Sequence, residues 1–94
     1  MERKLLMPDE IPNRLGNLEG WSAAGKILKR RMEFDDFAGA LIFVNKVGAI
    51  AERLDHHPDI TFGWGYADIE TTTHDRGGIT DLDIALAREI NSLA

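Results

Sequence analysis

Two hydrophobic rhythms alternate along the chain. Leu28, Arg30, Met32 and Phe34 fall on one face of an extended strand by the two-residue period. Gly25 marks a turn before this strand and Trp21 lies on the strand preceding it, so the pair reads as a hairpin. The rhythm then becomes helical. Ala40, Val44, Val47, Ala51 and Leu54 recur at alternating spacings of four and three, and Phe37, Leu41 and Gly48 widen the stripe. Asp35 or Asp36 supplies the N-cap. Pro58 is expected to end the helix, because a residue preceding proline is pushed out of α geometry. A second extended region, "DITFGWGYADIETTTH", is rich in Thr, Ile and aromatics and is broken by Gly63 and Gly65. Ala67, Ile69 and Thr71 share a face there. In "GGITDLDIALAREINSLA" the helical rhythm returns, with Leu82, Leu86, Ile90 and Leu93 as its stripe. Thr80 caps this helix, Asp83 closes a capping box, and Ile79 and Ile84 occupy the hydrophobic staple positions.

Strand-strand-helix, twice over, predicts an α+β fold. It would be a two-layer sandwich: a four-stranded, mostly antiparallel sheet with both helices on one face. The other face would be open or covered by another subunit. A chain of 94 residues is expected to form a single domain over 1–94. Residues 1–12 are expected to be loosely held. Pro8 and Pro12 oppose a long helix there, although a short one over 8–15 is allowed.

Composition narrows the functional classes. The formal net charge of −5 argues against a sequence-independent nucleic-acid binder, whose affinity comes from clustered Lys and Arg. The one basic run, residues 26–31, is interrupted by Ile27 and Leu28 and reads as a solvated strand face. There are no cysteines, which removes disulfides, thiolate metal sites and cysteine nucleophiles. No apolar run approaches the ~20 residues of a membrane span, and the N-terminal apolar stretch is too short for a signal peptide. A soluble, cytoplasmic protein with no nucleic-acid or membrane partner is expected.

The chemistry concentrates in three histidines. His56 and His57 stand in "ERLDHHP", and His74 stands in "TTTHDRGG". A hairpin turning at Gly65-Tyr66 would place position 57 opposite position 74, and cross-strand neighbours have Cβ atoms roughly 5 Å apart. A turn displaced by one residue would still leave His74 beside the pair. Glu52 lies four residues before His56 and would share its face if the helix persists that far. A neighbouring carboxylate favours the protonated imidazole. Asp55, Asp59 and Asp75 add negative charge. Histidine changes charge near neutral pH, which general acid/base catalysis requires. A zinc site is the rival, but adjacent histidines tend to point apart and the ligand spacings of zinc helices are missing. Gly77-Gly78 could admit an anion at the helix N-terminus, but Asp81 and Asp83 would repel one.

At these positions the chain resembles the pterin-4a-carbinolamine dehydratases. The resemblance runs from about Gly20 to Leu93. Its specific part is Glu52, His56-His57-Pro58, Trp64, His74 and Asp83, set within "FDDFAGALIFVNKVGAIAERLDHHPD" and "THDRGGITDLDIALA". It departs at Ile60, where the family often carries an aromatic. The resemblance implies loss of water from 4a-hydroxytetrahydropterin to give the quinonoid dihydropterin, in tetrahydrobiopterin recycling, without metal or organic cofactor. It implies His56, His57, His74 and Glu52 as the catalytic set. Asp55, His56, His57, Thr72, Thr73, His74, Asp75 and Asp83 would contact the pterin. Independently of the resemblance, one or two of Trp21, Trp64 and Tyr66 could form a wall for a flat heterocycle, Trp21 being the residue assigned to it. The resemblance also implies a homodimer or homotetramer. The alternative is a binding or scaffold role, as a transcription-factor dimerisation cofactor or enzyme assembly factor, resting on helix surfaces. Light scattering at micromolar concentration is expected to give a dimer or larger; a strict monomer would reject the implied self-association.

Overall fold

The computed structural model of the chain describes residues 4–93. Its elements are α1 (Ile11–Leu15), β1 (Ser22–Ala24), β2 (Ile27–Glu33), α2 (Phe37–Leu54), β3 (Asp59–Gly63), β4 (Tyr66–Thr71) and α3 (Asp81–Asn91). A 3₁₀ turn, His74–Arg76, joins β4 to α3. The sheet runs β1-β2-β4-β3 with every neighbouring pair antiparallel, the α+β arrangement expected from the alternating rhythms. The two-residue period sets its faces. Leu28, Met32, Ala67 and Ile69 are buried beneath the helices, while Lys29, Arg31, Glu33 and Glu70 on the alternate positions are exposed. On that outer face Arg31 donates twice to its cross-strand partner Asp68, at 2.7 and 2.8 Å, and lies over the Tyr66 ring. These hydrogen bonds hold the Asp68 carboxyl below its ordinary range and the Arg31 guanidinium above its own.

Of the N-terminal segment expected to be loosely held, residues 1–3 lie outside the described residues. From Leu5 the chain is tied down. Leu5 bridges Thr80, the Leu6 amide donates to the Ile79 carbonyl at 2.8 Å, and the Leu6 side chain is buried in the core. The short helix in this segment is α1, with proline in its first turn. Trp21 precedes β1 rather than lying within it.

Helix α2 buries its expected stripe but widens it on the other flank. Its buried residues are Ala40, Phe43, Val47, Ile50 and Ala51, whereas Phe37 and Leu41 are exposed. Of the expected stripe, Ala40, Val47 and Ala51 are buried and Val44 and Leu54 pack partly buried against the core; Phe43 and Ile50 widen it in place of Phe37 and Leu41. "FAGALIFVNKVGAIA" carries apolar residues around most of its circumference, so periodicity fixes the centre of the buried face and contact with the sheet decides its flanks. Asp36 is the N-cap, accepting from the Gly39 amide at 2.8 Å.

The end of α2 is set differently from expectation. The helix stops at Leu54, because Asp55 takes the left-handed conformation at φ 52° and ψ 44°. Pro58 follows only after the chain has already turned. A glycine is the common residue in such a position, since it has no Cβ to clash. The reversal directs His56 inward and His57 outward: the first is buried, the second exposed. Relative to the parent, Asp55→Gly is expected to raise stability by about 0.5 kcal/mol and Asp55→Val to lower it by about 1–2 kcal/mol. Urea denaturation reads both, and equal midpoints for the two variants would contradict the strain assigned to Asp55.

Candidate functional site

The β3–β4 hairpin turns at Trp64-Gly65, one residue earlier than expected, with Gly65 at φ +85°. Asp59 is opposite Glu70, and no described strand pairing continues to the histidines. His57 and His74 are thus not direct cross-strand neighbours. Beyond Thr71, the chain leaves the sheet: Thr73 bridges Gly78, and His74 opens the 3₁₀ turn with its side chain exposed.

A buried carboxylate ties the two histidine segments together instead. Asp83, at N3 of α3, is fully buried. Its Oδ1 meets His56 Nε2 at 2.6 Å and accepts from the Thr71 hydroxyl at 2.6 Å. Its Oδ2 accepts from the Thr73 hydroxyl at 2.8 Å and from the Thr80 amide at 2.9 Å. The capping box foreseen from Thr80 and Asp83 is formed. The same carboxylate that closes the helix therefore also holds the inward histidine. His56 and Thr73 bind opposite oxygens of one side chain, so His74, the next residue, is carried to the same end of the sheet as His56.

The second histidine has a separate partner. His57 Nε2 hydrogen-bonds Glu52, and both are exposed. Glu52 thus pairs with His57, not with His56 as helical spacing suggested, because the helix ends before His56. The site has two imidazole–carboxylate pairs: His56–Asp83 largely buried, with the carboxylate fully enclosed, and His57–Glu52 open to solvent.

The remaining expected contacts are distributed unevenly. Thr72 is partly buried and its hydroxyl donates to the Lys26 carbonyl at 2.6 Å. Thr73 is 1% exposed, with its hydroxyl engaged by Asp83 and Thr80. Asp55 and Asp75 are exposed beside the histidines in the chain. Trp21 lies elsewhere. Its indole donates to Asn91 at 2.8 Å, and Asn91 is at the opposite end of α3 from Asp83, roughly 12 Å away along the helix. Thr71, read as a strand residue whose hydroxyl could meet a ligand, and Thr80, read as a helix cap, both turn out to bond Asp83. The signal for Thr71 was present as a polar residue on the inward face of β4, which demands a partner. Among the described residues, no three His, Asp or Glu side chains converge where they could share a metal ion. Nor is any helix among them long and apolar enough to cross a membrane.

An antiparallel sheet covered by helices, with a histidine–carboxylate centre where the last strand feeds the last helix, makes this an α+β protein built around a buried imidazole–carboxylate pair. The sequence profile described as Pterin 4 alpha carbinolamine dehydratase matches residues 4–93, and the chain belongs to that family. It is 42% identical to a relative in Sulfurisphaera tokodaii, over 96% of this chain and 97% of that one. It is 44% identical to another in Thermosynechococcus vestitus, over 95% and 94%. Both are provisionally named pterin-4-alpha-carbinolamine dehydratases. A crystal structure from Brucella melitensis, described as a transcriptional coactivator/pterin dehydratase, superposes with a TM-score of 0.92. That chain is 33% identical, and the match covers 97% of this chain and 99% of the other. A pterin dehydratase-like RuBisCO assembly factor of the alpha-carboxysome shares the fold at a TM-score of 0.65 and 24% identity, over 79% of this chain and 86% of that one.

The two pairs have different energetic standing. Removing one member of a buried pair strands the other's charge at a cost of about 3–5 kcal/mol, whereas an exposed pair is worth at most about 1 kcal/mol. His56→Leu is therefore expected to destabilise by about 3–5 kcal/mol and His57→Ala by less than about 1 kcal/mol. Chemical denaturation distinguishes them; equal losses would contradict the assignment of His56 as the buried partner.

Proposed function

We propose that the protein removes water from 4a-hydroxytetrahydropterin, giving the quinonoid dihydropterin, as part of recycling a tetrahydrobiopterin-type cofactor. The single observation supporting this most is the His56–Asp83 pair, a titratable ring fixed by a buried carboxylate within a chain of the pterin carbinolamine dehydratase family. The reaction is a proton relay around one C–O bond cleavage. The hydroxyl at the 4a carbon leaves as water once its oxygen receives a proton, and the ring N–H gives up its proton as the new double bond forms. Neither transfer needs a redox step. Positioned imidazoles contribute about 10²–10⁴-fold each to such steps.

In this reading His56 and His74 are the acid/base groups, and His57, oriented by Glu52, holds the substrate near its hydroxyl. Asp55, Thr72 and Asp75 flank the pterin. Asp83 and Thr73 act from beneath, since both side chains are buried. The test is turnover of 4a-hydroxytetrahydropterin by the purified protein. His56→Gln, which retains an N–H for Asp83, and His74→Ala are each expected to lose about 10²-fold or more in rate with circular dichroism unchanged. Unchanged rates in both would reject the assignment.

A second reading is favoured by the outer side of α2, where Phe37, Leu41 and Ile42 are 45%, 40% and 57% exposed. An apolar helix face of this kind suits a protein partner or a further copy of the chain. Stoichiometric capture of a partner protein, together with absent turnover, would favour a binding role over the enzymatic one.

A further inference from the structure

The hydrogen bonds around Asp83 can be assigned a direction, because each threonine hydroxyl has a single proton to give. Thr73 gives its proton to Asp83 Oδ2, so at the 2.7 Å contact between the Thr73 and Thr80 hydroxyls Thr80 must be the donor. Thr80 Oγ1 in turn accepts from the Leu82 amide at 3.2 Å. The chain of donors therefore runs one way: Leu82 amide to Thr80 hydroxyl, to Thr73 hydroxyl, to Asp83. The Thr71 hydroxyl and the Thr80 amide add two further donors. Three of the four groups around the carboxylate are then committed donors, and only the His56 side remains to be decided.

A carboxylate that receives three donors has no use for a proton of its own. The only group it could give one to is His56 Nε2. The alternative, in which His56 Nε2 donates, lets a fully buried carboxylate accept from all four neighbours and satisfies it completely. His56 then carries hydrogen on Nε2 in both its neutral and its protonated forms. The nitrogen that gains and loses a proton is Nδ1. Among the described residues His56 Nδ1 has no hydrogen-bond partner, and no buried side-chain nitrogen or oxygen is left unpartnered. Nδ1 is accordingly open to solvent, although the side chain is only 10% exposed.

We infer that Thr71, Thr73 and Thr80 form a one-directional donor cradle that makes Asp83 hold the Nε2 proton of His56, leaving Nδ1 as the nitrogen that exchanges a proton with substrate. Thr71 and Thr73 are positioning residues: they touch Asp83, not the pterin, and act on the reaction through the ring. Thr73, expected from the sequence to contact ligand, has its hydroxyl proton spent on Asp83 and its lone pair on Thr80. Its main-chain amide donates to the Gly78 carbonyl at 2.8 Å, and its carbonyl accepts from Arg76 and Gly77, both at 3.0 Å. The assignment of Nδ1 as the working atom rests on the dehydratase reading, while the tautomer and its dependence on the threonines do not.

The test combines nitrogen-15 NMR of histidine-labelled protein with turnover. In the parent protein above neutral pH, His56 is expected to carry hydrogen on Nε2 with Nδ1 bare. Thr71→Val and Thr73→Val keep the side-chain volume and remove the donor. Each is expected to mix the two tautomers and to lower kcat about tenfold, with KM changed less than about twofold. Thr71→Ser and Thr73→Ser restore the donor and are expected to recover both the tautomer and the rate. Hydrogen on Nδ1 in the parent overturns the proposal, and that measurement stands even if a valine variant fails to fold. Equal effects of valine and serine, or valine variants with unaltered spectra, also overturn it. The expected spectra in a protein that does not turn over 4a-hydroxytetrahydropterin would refute the dehydratase reading and leave the cradle standing.

Discussion

The end of the sheet where the histidines lie depends on one carboxylate without access to water. A buried charge is costly unless paired and hydrogen-bonded, so Asp83 imposes requirements on everything around it. It takes two partners on each oxygen, from β4, from the segment after β4, from its own helix N-terminus and from the loop after α2. Four stretches of chain, separated by up to 27 positions, are thereby fixed to a common point. A single satisfied network does the work of a cap, a strand-to-helix clamp and a histidine anchor.

This network also accounts for the asymmetry between two adjacent histidines. The left-handed turn at Asp55 sends their rings to different environments, one toward Asp83 and one toward the exposed side of α2. The inward ring is rigidly oriented and offers one nitrogen to the outside. The outward ring is held only by Glu52 in solvent, where ion pairs are weak and readily rearranged. A rigid proton-exchanging group beside a more adaptable one suits chemistry on a small heterocycle, in which one contact must be exact in direction and another can follow the ligand.

The opposite side of the sheet and the outer side of α2 have a different character. The sheet's outer face is charged, with Arg31 and Asp68 paired across strands, whereas α2 presents Phe37, Leu41 and Ile42 to the exterior. Apolar exposure on a helix that already buries another face distinguishes the second surface from the first, and it lies on the same helix that carries Glu52 toward the site. Helix α2 therefore contributes to the core, to the histidine site and to the exterior apolar face at once.

What could be read from the residues alone was whatever depends on near neighbours in the chain. Alternation gave the strands, the caps at Asp36 and Thr80 followed from their side chains, and the closing of a capping box by Asp83 needed only residues three apart. The cross-strand register that was to set His57 opposite His74 is not formed, and the segments of His56 and His74 are linked through Asp83 instead. The partnerships were not legible either. Glu52 was matched to His56 by helical spacing, but the helix had already ended at Leu54, and Asp83 reached His56 from 27 positions away. The centre of the buried face of α2 was legible from its spacing, but its flank was not, because the sequence is apolar on several sides and only the packed sheet selects Phe43 and Ile50 over Phe37 and Leu41. Local hydrogen bonds and periodicity are encoded within a few residues. Which distant polar groups share a buried carboxylate is decided by how the layers close over it, since only burial makes an unsatisfied partner expensive.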